Sequence, residues 1–222
     1  MSRTWPDSMS TSVRAVDLLL IRHATTDWNL AGRLNAAKEV PLNDRGIREA
    51  AAVARHIRSH GHSASIWASP AARAQVTAAA IATAMGTAFR TETNAREVDF
   101  GRFEGQTRTN LLDGVERARF LEWEGGLPVD GVESLESAGE RARTVFDQLL
   151  ADRGSVRQVL VSHGVFIRVF ICVNALYISP TAYRRLVVEN ASLSVLQVRF
   201  DGVRLARLNA THHLALDDRA EW

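Results

Sequence analysis

A short apolar run that ends in an arginine–histidine pair constrains this chain more than any other feature. Residues 17–21 read DLLLI, and Arg22 and His23 follow directly. A continuous apolar run of this length is typical of a parallel strand that is buried on both faces. Because ligands of open α/β sheets bind beyond the carboxyl ends of the strands, the pair is placed to meet a ligand. The planar fork of donors on arginine favours an anion such as phosphate.

The same order of strand and histidine returns late in the chain, where an apolar strand over 156–161 precedes Ser162, His163 and Gly164. Helices and short strands are predicted to alternate between the two histidines. Those helices cover 43–59, 70–85 (with Ser69 as cap), 110–124 and 133–151, and the strands cover 64–68 and 87–91.

This alternation predicts an α/β fold, since strands that are connected by helices form a largely parallel sheet. We expect one domain, 14–222, built as a three-layer α/β/α sandwich with a mostly parallel sheet. Apolar and polar residues alternate on both sides of Asp201-Gly202, which predicts a terminal hairpin and thus an antiparallel edge strand. Residues 1–13 are rich in Ser and Thr without periodicity, so we predict a disordered lead-in.

Composition excludes several classes of function. The net charge of the 222 residues is only +2, and the arginines are spread along the chain, so no nucleic-acid face is indicated. Cys172 is the only cysteine, which excludes an internal disulfide and a cysteine-based zinc site. No apolar stretch reaches the ~20 residues that span a bilayer, and no signal peptide is recognised, so we expect a cytoplasmic protein without membrane contact.

A family resemblance appears once the polar motifs are read together. The segment RHATTDWN, 22–29, resembles the RHGxTxxN signature of the histidine phosphatase superfamily, which includes cofactor-dependent phosphoglycerate mutases. Further segments resemble motifs of that family in the family's order. They are Gly32-Arg33, Pro41-Leu42-Asn43, Ser69–Ala74 (SPAARA), Arg96–Gly105 (REVDFGRFEG), Gly131–Ser134 (GVES), Val161–Gly164 (VSHG) and Leu208–Leu214 (LNATHHL).

The resemblance implies an enzyme that cleaves a phosphate monoester through a phosphohistidine. His23 would be the nucleophile and Glu97 the general acid and base, which suits their residue types. Arg22, Arg73 and His163 would surround the phosphoryl oxygens, where fixed positive charge does most of the work. Asn29, Thr26 and Gly164 complete the expected phosphate contacts. The two arginines and the second histidine take the electrostatic role of a metal, so no metal and no cofactor are expected.

Other residues of the motifs receive weaker interpretations. Ala24 stands where the family has glycine and Phe103 where it has tryptophan, which affects the shape of the pocket more than its chemistry. Glu104 and Glu133 are as compatible with a structural role as with a catalytic one. The remaining histidines are interpreted as structural, three of them because positive charge is favoured near a helix C-terminus. They are His56, His60 and His62, and also His212 and His213.

Three functions are weighed. A phosphatase is favoured over a mutase because Val98, Asp99 and Phe100 follow Glu97 directly, without the longer segment and the Tyr and Lys that mutases use for phosphoglycerate. An inactive ligand-binding protein is disfavoured because His23 and Glu97 are both present. The expected activity is that of a histidine acid phosphatase-type phosphoric monoester hydrolase acting on a small-molecule phosphate monoester. The sequence does not identify the ester. The apolar C-terminal strands could pair two copies of the chain into a homodimer.

Overall fold

A six-stranded sheet with helices on both faces forms the framework of the chain. The structure is a computed structural model that describes residues 15–61, 63–152 and 154–215. The predicted lead-in at 1–13 and the interpretation of His62 lie outside the described residues. The strands are β1 (Val16–Arg22), β2 (Ser65–Ala68), β3 (Phe89–Thr91), β4 (Arg157–Ser162), β5 (Leu193–Arg199) and β6 (Gly202–Ala210).

The sheet has the order β3-β2-β4-β1-β5-β6. The first four of these strands are parallel, and β5 and β6 are antiparallel, so the predicted fold class is confirmed with two antiparallel strands at one side. The pairing of β1 with β4 sets Arg22 opposite Ser162. Both predicted histidine motifs therefore leave the sheet side by side.

Helices cover both faces of the sheet because alternate residues of the buried strands point in opposite directions. Leu18 and Leu20 belong to one apolar core, and Leu19 and Ile21 belong to another on the opposite face. The main helices are α1 (Asp27–Leu30), α2 (Asp44–Ser59), α3 (Ala72–Met85), α4 (Arg108–Asp113), α5 (Arg117–Glu124), α6 (Leu135–Ala151) and α7 (Gly164–Asn174). Helices α2 and α3 pack on the second core, and α5, α6 and α7 pack on the first.

Two predicted helices differ from the observed ones. The helix expected over 110–124 is two helices, because the chain leaves helical geometry at Gly114, whose backbone is extended. The helix expected to start after a Ser69 cap begins at Ala72 instead, with Ala71 as an N-cap that makes no side-chain hydrogen bond. The hydroxyl of Ser69 accepts from the backbone N–H of Ala71 over 3.4 Å and also lies 2.6 Å from Nε2 of His163.

Four histidines form a cluster beside the C-terminal end of α2. The ring of His56 lies 4.3 Å from that of His60, 4.8 Å from that of His212 and 5.1 Å from that of His213, centroid to centroid. Burial above all, together with the charges of the other histidines and of Arg207, lowers the pKa of His56 to about 4. His56 is therefore neutral at pH 7, and not the cation that the sequence interpretation assumed.

Gly46, in the first turn of α2, allows this helix to touch the loop after His23. A Cβ atom at Gly46 would lie 2.1 Å from the carbonyl oxygen of Thr25, whereas a Cβ at the helical Gly139 would meet nothing closer than 3.4 Å. We expect Gly46→Ala to lower the free energy of unfolding by about 1–3 kcal/mol or more through this backbone clash. Gly139→Ala should raise it by up to about 1 kcal/mol through helix propensity. Urea denaturation of both variants checks this, and equal effects would contradict it.

Stability should fall in acid partly because of His56. Its pKa of about 4 in the folded chain lies below the unfolded value of 6.5, so the unfolded chain binds more protons between these values. The contribution is complete above pH 6.5 and is lost as the pH falls toward 4. In thermal melts across this range, His56→Gln should lose less stability than the wild type. Melting curves that shift in parallel for the two proteins would contradict this account.

Candidate active site

Two buried histidine rings face each other at the carboxyl ends of β1 and β4. The ring centroids of His23 and His163 are 5.2 Å apart in an edge-to-face arrangement. The backbone N–H of His23 donates to the carbonyl of Ser162 over 2.8 Å, which extends the pairing of the strands by one residue. The sheet itself thus sets the spacing of the two side chains.

His23 is held in the form that a nucleophile requires. Its Nδ1 lies 2.8 Å from the carbonyl oxygen of Ala24, and because a carbonyl only accepts, Nδ1 carries the proton. Nε2 therefore keeps its lone pair. Burial lowers the pKa of His23 well below its usual value, and the charges of Arg22 and Arg73 lower it further. The ring is neutral at pH 7.

Arg22 and Arg73 place buried positive charge beside His23. Arg22 donates through Nη1 to the carbonyl of Val188, and Arg73 donates through Nη2 to the carbonyls of Asn35 and Ala36. Each Nε–H is buried and has no acceptor among the described residues. Burial lowers the pKa of Arg22 to about 10, so it stays charged at pH 7. Two unsatisfied guanidinium donors are suited to an acceptor from outside the chain, such as an anion.

The second histidine has a protein partner on each ring nitrogen. The Nδ1 of His163 accepts from Nη2 of Arg73 over 3.3 Å, which places the ring proton on Nε2, 2.6 Å from the hydroxyl oxygen of Ser69. Burial lowers the pKa of His163, and the neighbouring His23 and arginines lower it further. Sequence analysis did not assign Ser69 to the site. A signal was available, because Ser69 directly follows β2, and β2 pairs in parallel with β4 and ends at the same edge of the sheet.

Glu97 is fixed by backbone donors. Its Oε1 accepts from the N–H groups of Val98 and Phe166, both over 2.9 Å, and its Oε2 accepts from Val165 over 3.0 Å. The last two donors belong to the first turn of α7, directly after His163. Among the described residues, Oε2 has a single N–H donor and Oε1 has two. The carboxylate is thus tied to the same helix start as the second histidine.

Smaller polar groups complete the edge of the site. The Thr26 side chain caps α1, and the amide oxygen of Asn29 accepts from the backbone N–H and hydroxyl of Thr26 and from Asn190. This orients the amide so that its Nδ2 is the end available to a ligand. A Cβ at Gly164 would lie 3.3 Å from Arg22, so the absent side chain leaves room for that guanidinium. The structure therefore places Thr26 as support for Asn29.

Asn35 is a site residue that sequence analysis missed. Its amide nitrogen and oxygen are both buried and have no partner among the described residues, and its carbonyl accepts from Arg73. A buried amide with unsatisfied donor and acceptor atoms beside Arg73 is suited to a polar ligand. No periodicity marks Asn35, because it lies in the loop after Gly32.

Three carboxylates support the site from outside. Glu49, buried on α2, accepts from the backbone N–H and the hydroxyl of Thr25, two residues after His23. Glu104 accepts from the N–H groups of Ala36 and Lys38, in the loop whose carbonyls hold Arg73. Glu133 receives two 2.7 Å bonds from Arg141, and Arg141 also donates to the carbonyls of Asn94 and Arg96, just before Glu97. Of the two roles that the sequence allowed for Glu104 and Glu133, these contacts support the structural one.

The arrangement therefore combines a neutral imidazole, two charged guanidinium groups and one fixed carboxylate. This set can bind a phosphate group, attack its phosphorus and move a proton. Within the described part of the chain, no group of three or more His, Cys, Asp or Glu side chains is arranged to hold a metal ion. None of the helices in that part is long and apolar enough to cross a membrane.

Sequence comparison supports the resemblance that the motifs indicated. The sequence profile of the histidine phosphatase superfamily (branch 1) matches residues 18–211. The chain belongs to the histidine phosphatase superfamily. Its polar motifs are thus family motifs, and the family's fold is the one observed.

Several proteins that are similar to this chain have named activities. A probable phosphoglycerate mutase, GpmB, of Yersinia pestis is 32% identical over 190 residues, which cover 81% of this chain and 83% of the relative. Phosphoserine phosphatase of Entamoeba histolytica, solved with 3-phosphoglyceric acid, is 30% identical, with a TM-score of 0.78, over 90% of this chain and 100% of that one. Mycobacterial glucosyl-3-phosphoglycerate phosphatase is 26% identical, with a TM-score of 0.76, over 89% and 100% of the two chains.

The two unsatisfied arginine donors predict that an oxyanion stabilises the fold. Inorganic phosphate at about 100 times its Kd should add about 2.7 kcal/mol to the free energy of unfolding, seen as a rise in Tm. Arg73→Gln should lose most of this rise, because one charge and one orphan donor are removed. Arg55→Gln, at an exposed position of α2, should keep it. Equal responses of the two variants to phosphate would contradict the assignment of the anion site.

Proposed function

We propose that this protein is a metal-independent phosphomonoesterase, a histidine acid phosphatase-type phosphoric monoester hydrolase, that acts on a small-molecule ester. The observation that carries the proposal is the state of His23, a neutral ring with Nδ1 bound to a carbonyl and with two arginines beside it. The domain that performs the reaction would be 14–222, the segment expected from the sequence. Family membership supports phosphoryl transfer in general.

The first half-reaction forms a phosphohistidine. The phosphoryl oxygens of the ester bind to Arg22 and Arg73, with Nδ2 of Asn29 as a further donor. His163 holds Nη2 of Arg73, and Gly164 leaves room for Arg22. The lone pair on Nε2 of His23 attacks phosphorus, and the bond from phosphorus to the ester oxygen breaks. The proton held on Glu97 passes to this oxygen, which leaves as an alcohol.

The second half-reaction hydrolyses the intermediate. Glu97, now a carboxylate, accepts a proton from a water molecule that attacks the phosphorus, and the bond to Nε2 breaks. Inorganic phosphate leaves, and His23 returns to its neutral form with the proton still on Nδ1. The positive charge that a metal would otherwise supply comes from Arg22 and Arg73.

Phosphoglycerate mutation is the second candidate, and the relative named as a probable phosphoglycerate mutase favours it. In a mutase the phosphohistidine transfers its group to a second hydroxyl of the substrate instead of to water. The phosphatase is preferred because Phe100 lacks the hydroxyl that mutases use near the general acid. Incubation with 3-phosphoglycerate separates the two, since a mutase yields 2-phosphoglycerate and a phosphatase yields glycerate and inorganic phosphate.

Hydrolysis of p-nitrophenyl phosphate in EDTA tests the proposal. The wild type should retain its turnover with the chelator, because no step uses a metal. His23→Ala should lose at least about 10³-fold in kcat, since the covalent route is removed. His60→Ala, a histidine at the exposed end of α2, should retain normal turnover. EDTA-sensitive activity, or activity that survives His23→Ala, would refute the mechanism.

A further inference from the structure

Arg141, on α6, binds the backbone of the segment that carries Glu97. Its Nη1 donates to the carbonyls of Asn94 and Arg96, the second of them over 3.1 Å. Arg96 directly precedes Glu97, so the peptide group that links these two residues is one of the groups that Arg141 holds. The proposed general acid is therefore fixed on its N-terminal side by a side chain from outside the site.

Glu133 holds the same segment on the C-terminal side of Glu97. Its Oε2 accepts from the backbone N–H of Asp99 over 3.1 Å, and its own N–H donates to the carbonyl of Asp99 over 2.9 Å. Arg141 in turn binds both oxygens of Glu133, through Nε and Nη2, each over 2.7 Å. One ion pair thus joins the two sides of the segment around Glu97.

Arg141 also contacts the helix start that orients the carboxylate. Its guanidinium lies 5.0 Å from the ring centroid of Phe166. The backbone N–H of Phe166 donates to Oε1 of Glu97 over 2.9 Å. The 94–99 segment and the start of α7 are therefore both in contact with one guanidinium, and these are the two parts of the chain that determine where the Glu97 carboxylate lies.

The ion pair is buried and charged. The side chains of Arg141 and Glu133 are only 10% and 8% exposed. Burial alone would raise the pKa of Glu133, but the hydrogen bonds and the charge of Arg141 lower it below its usual value, so Glu133 is ionised at pH 7. A buried ion pair adds little net stability on average, because the cost of desolvation offsets the attraction. What this pair supplies is a fixed geometry for the segment that it binds.

We propose that Arg141, held by Glu133, is a positioning residue that places Glu97 for proton transfer to the departing oxygen. Proton transfer requires the acid to lie within ~2.6–3.2 Å of that oxygen. A misplacement of ~1 Å can lower the rate ~10²-fold. Lysine cannot replace Arg141, because one ammonium group lacks the planar fork that binds the carboxylate and the carbonyls together. The proposal rests on the phosphatase function stated above.

Leaving groups of different basicity test this role. p-Nitrophenolate is a weak base that departs without a proton, whereas phenolate is a stronger base and depends more on the acid. The quantity to compare is kcat/KM, because it includes only the steps up to departure of the first product. Arg141→Lys should lower the ratio of kcat/KM for phenyl phosphate over p-nitrophenyl phosphate by about tenfold, part of the ~10²–10⁴ that a general acid supplies. An unchanged ratio would overturn the proposal.

Two further variants separate positioning from a loss of folding stability. Glu133→Gln keeps the shape of the side chain but removes its charge, and it should lower the ratio in the same direction as Arg141→Lys. Leu149→Ala, at a buried position near the other end of α6, should lower the free energy of unfolding by about 2–5 kcal/mol and leave the ratio unchanged. A ratio that falls as far in Leu149→Ala would show that Arg141 only supports the fold.

Failure of this inference is distinguishable from failure of the phosphatase proposal. Hydrolysis of p-nitrophenyl phosphate through His23 reports on the phosphatase alone, because its leaving group needs no proton. Turnover of that ester with the same ratio in the wild type, Arg141→Lys and Glu133→Gln would refute the positioning role and leave the phosphatase standing. Absence of turnover of both esters by the wild type would refute both proposals.

Discussion

The parallel pairing of β1 with β4 is the constraint on which the site depends. Each strand is buried, and each ends in a histidine at the same edge of the sheet, so the register that sets Arg22 opposite Ser162 also brings the two imidazoles together. The hydrogen bond from the His23 N–H to the Ser162 carbonyl extends this register into the site. A shift of one residue in either strand would turn one histidine to the opposite face. The spacing of the two imidazoles is thus a consequence of strand pairing.

A second property of the molecule is how it distributes its buried acids. Glu49, Glu104 and Glu133 are each tied to a backbone segment or to an arginine outside the site, and Glu124 is tied to Arg108. These carboxylates hold loops in place and do not ion-pair with Arg22 or Arg73 within the described residues. The positive charge at the site therefore stays available to an anion. Burial, together with the same charge, lowers the pKa of His23 and keeps its ring neutral.

Much of the framework could be predicted from the sequence, and the reason is periodicity. The apolar runs before His23 and His163 predict two parallel buried strands, and the Asp201-Gly202 turn predicts the antiparallel hairpin that the structure contains. The family motifs then point to Arg73 and Glu97, which the structure places with the two histidines through hydrogen bonds and charge.

The parts that could not be predicted depend on contacts between distant segments. Asn35 carries no periodic signal, and its unsatisfied amide becomes visible only when its loop folds over Arg73. Ser69 looks like a helix cap in sequence, and its contact with the His163 ring becomes visible only when β2 and β4 lie side by side. Gly46 gives no sign of its role until α2 lies against the Thr25 carbonyl.

The central claim is that Nε2 of His23 carries the phosphoryl group during turnover. Rapid quench of the enzyme with p-nitrophenyl phosphate under alkaline conditions, followed by digestion and mass spectrometry, tests it most directly because phosphohistidine survives base. We predict a phosphorylated peptide that contains His23, formed within the first turnover and lost as the substrate is consumed. A phosphoryl group on another residue, or turnover with no phosphoenzyme at any time, would contradict the claim.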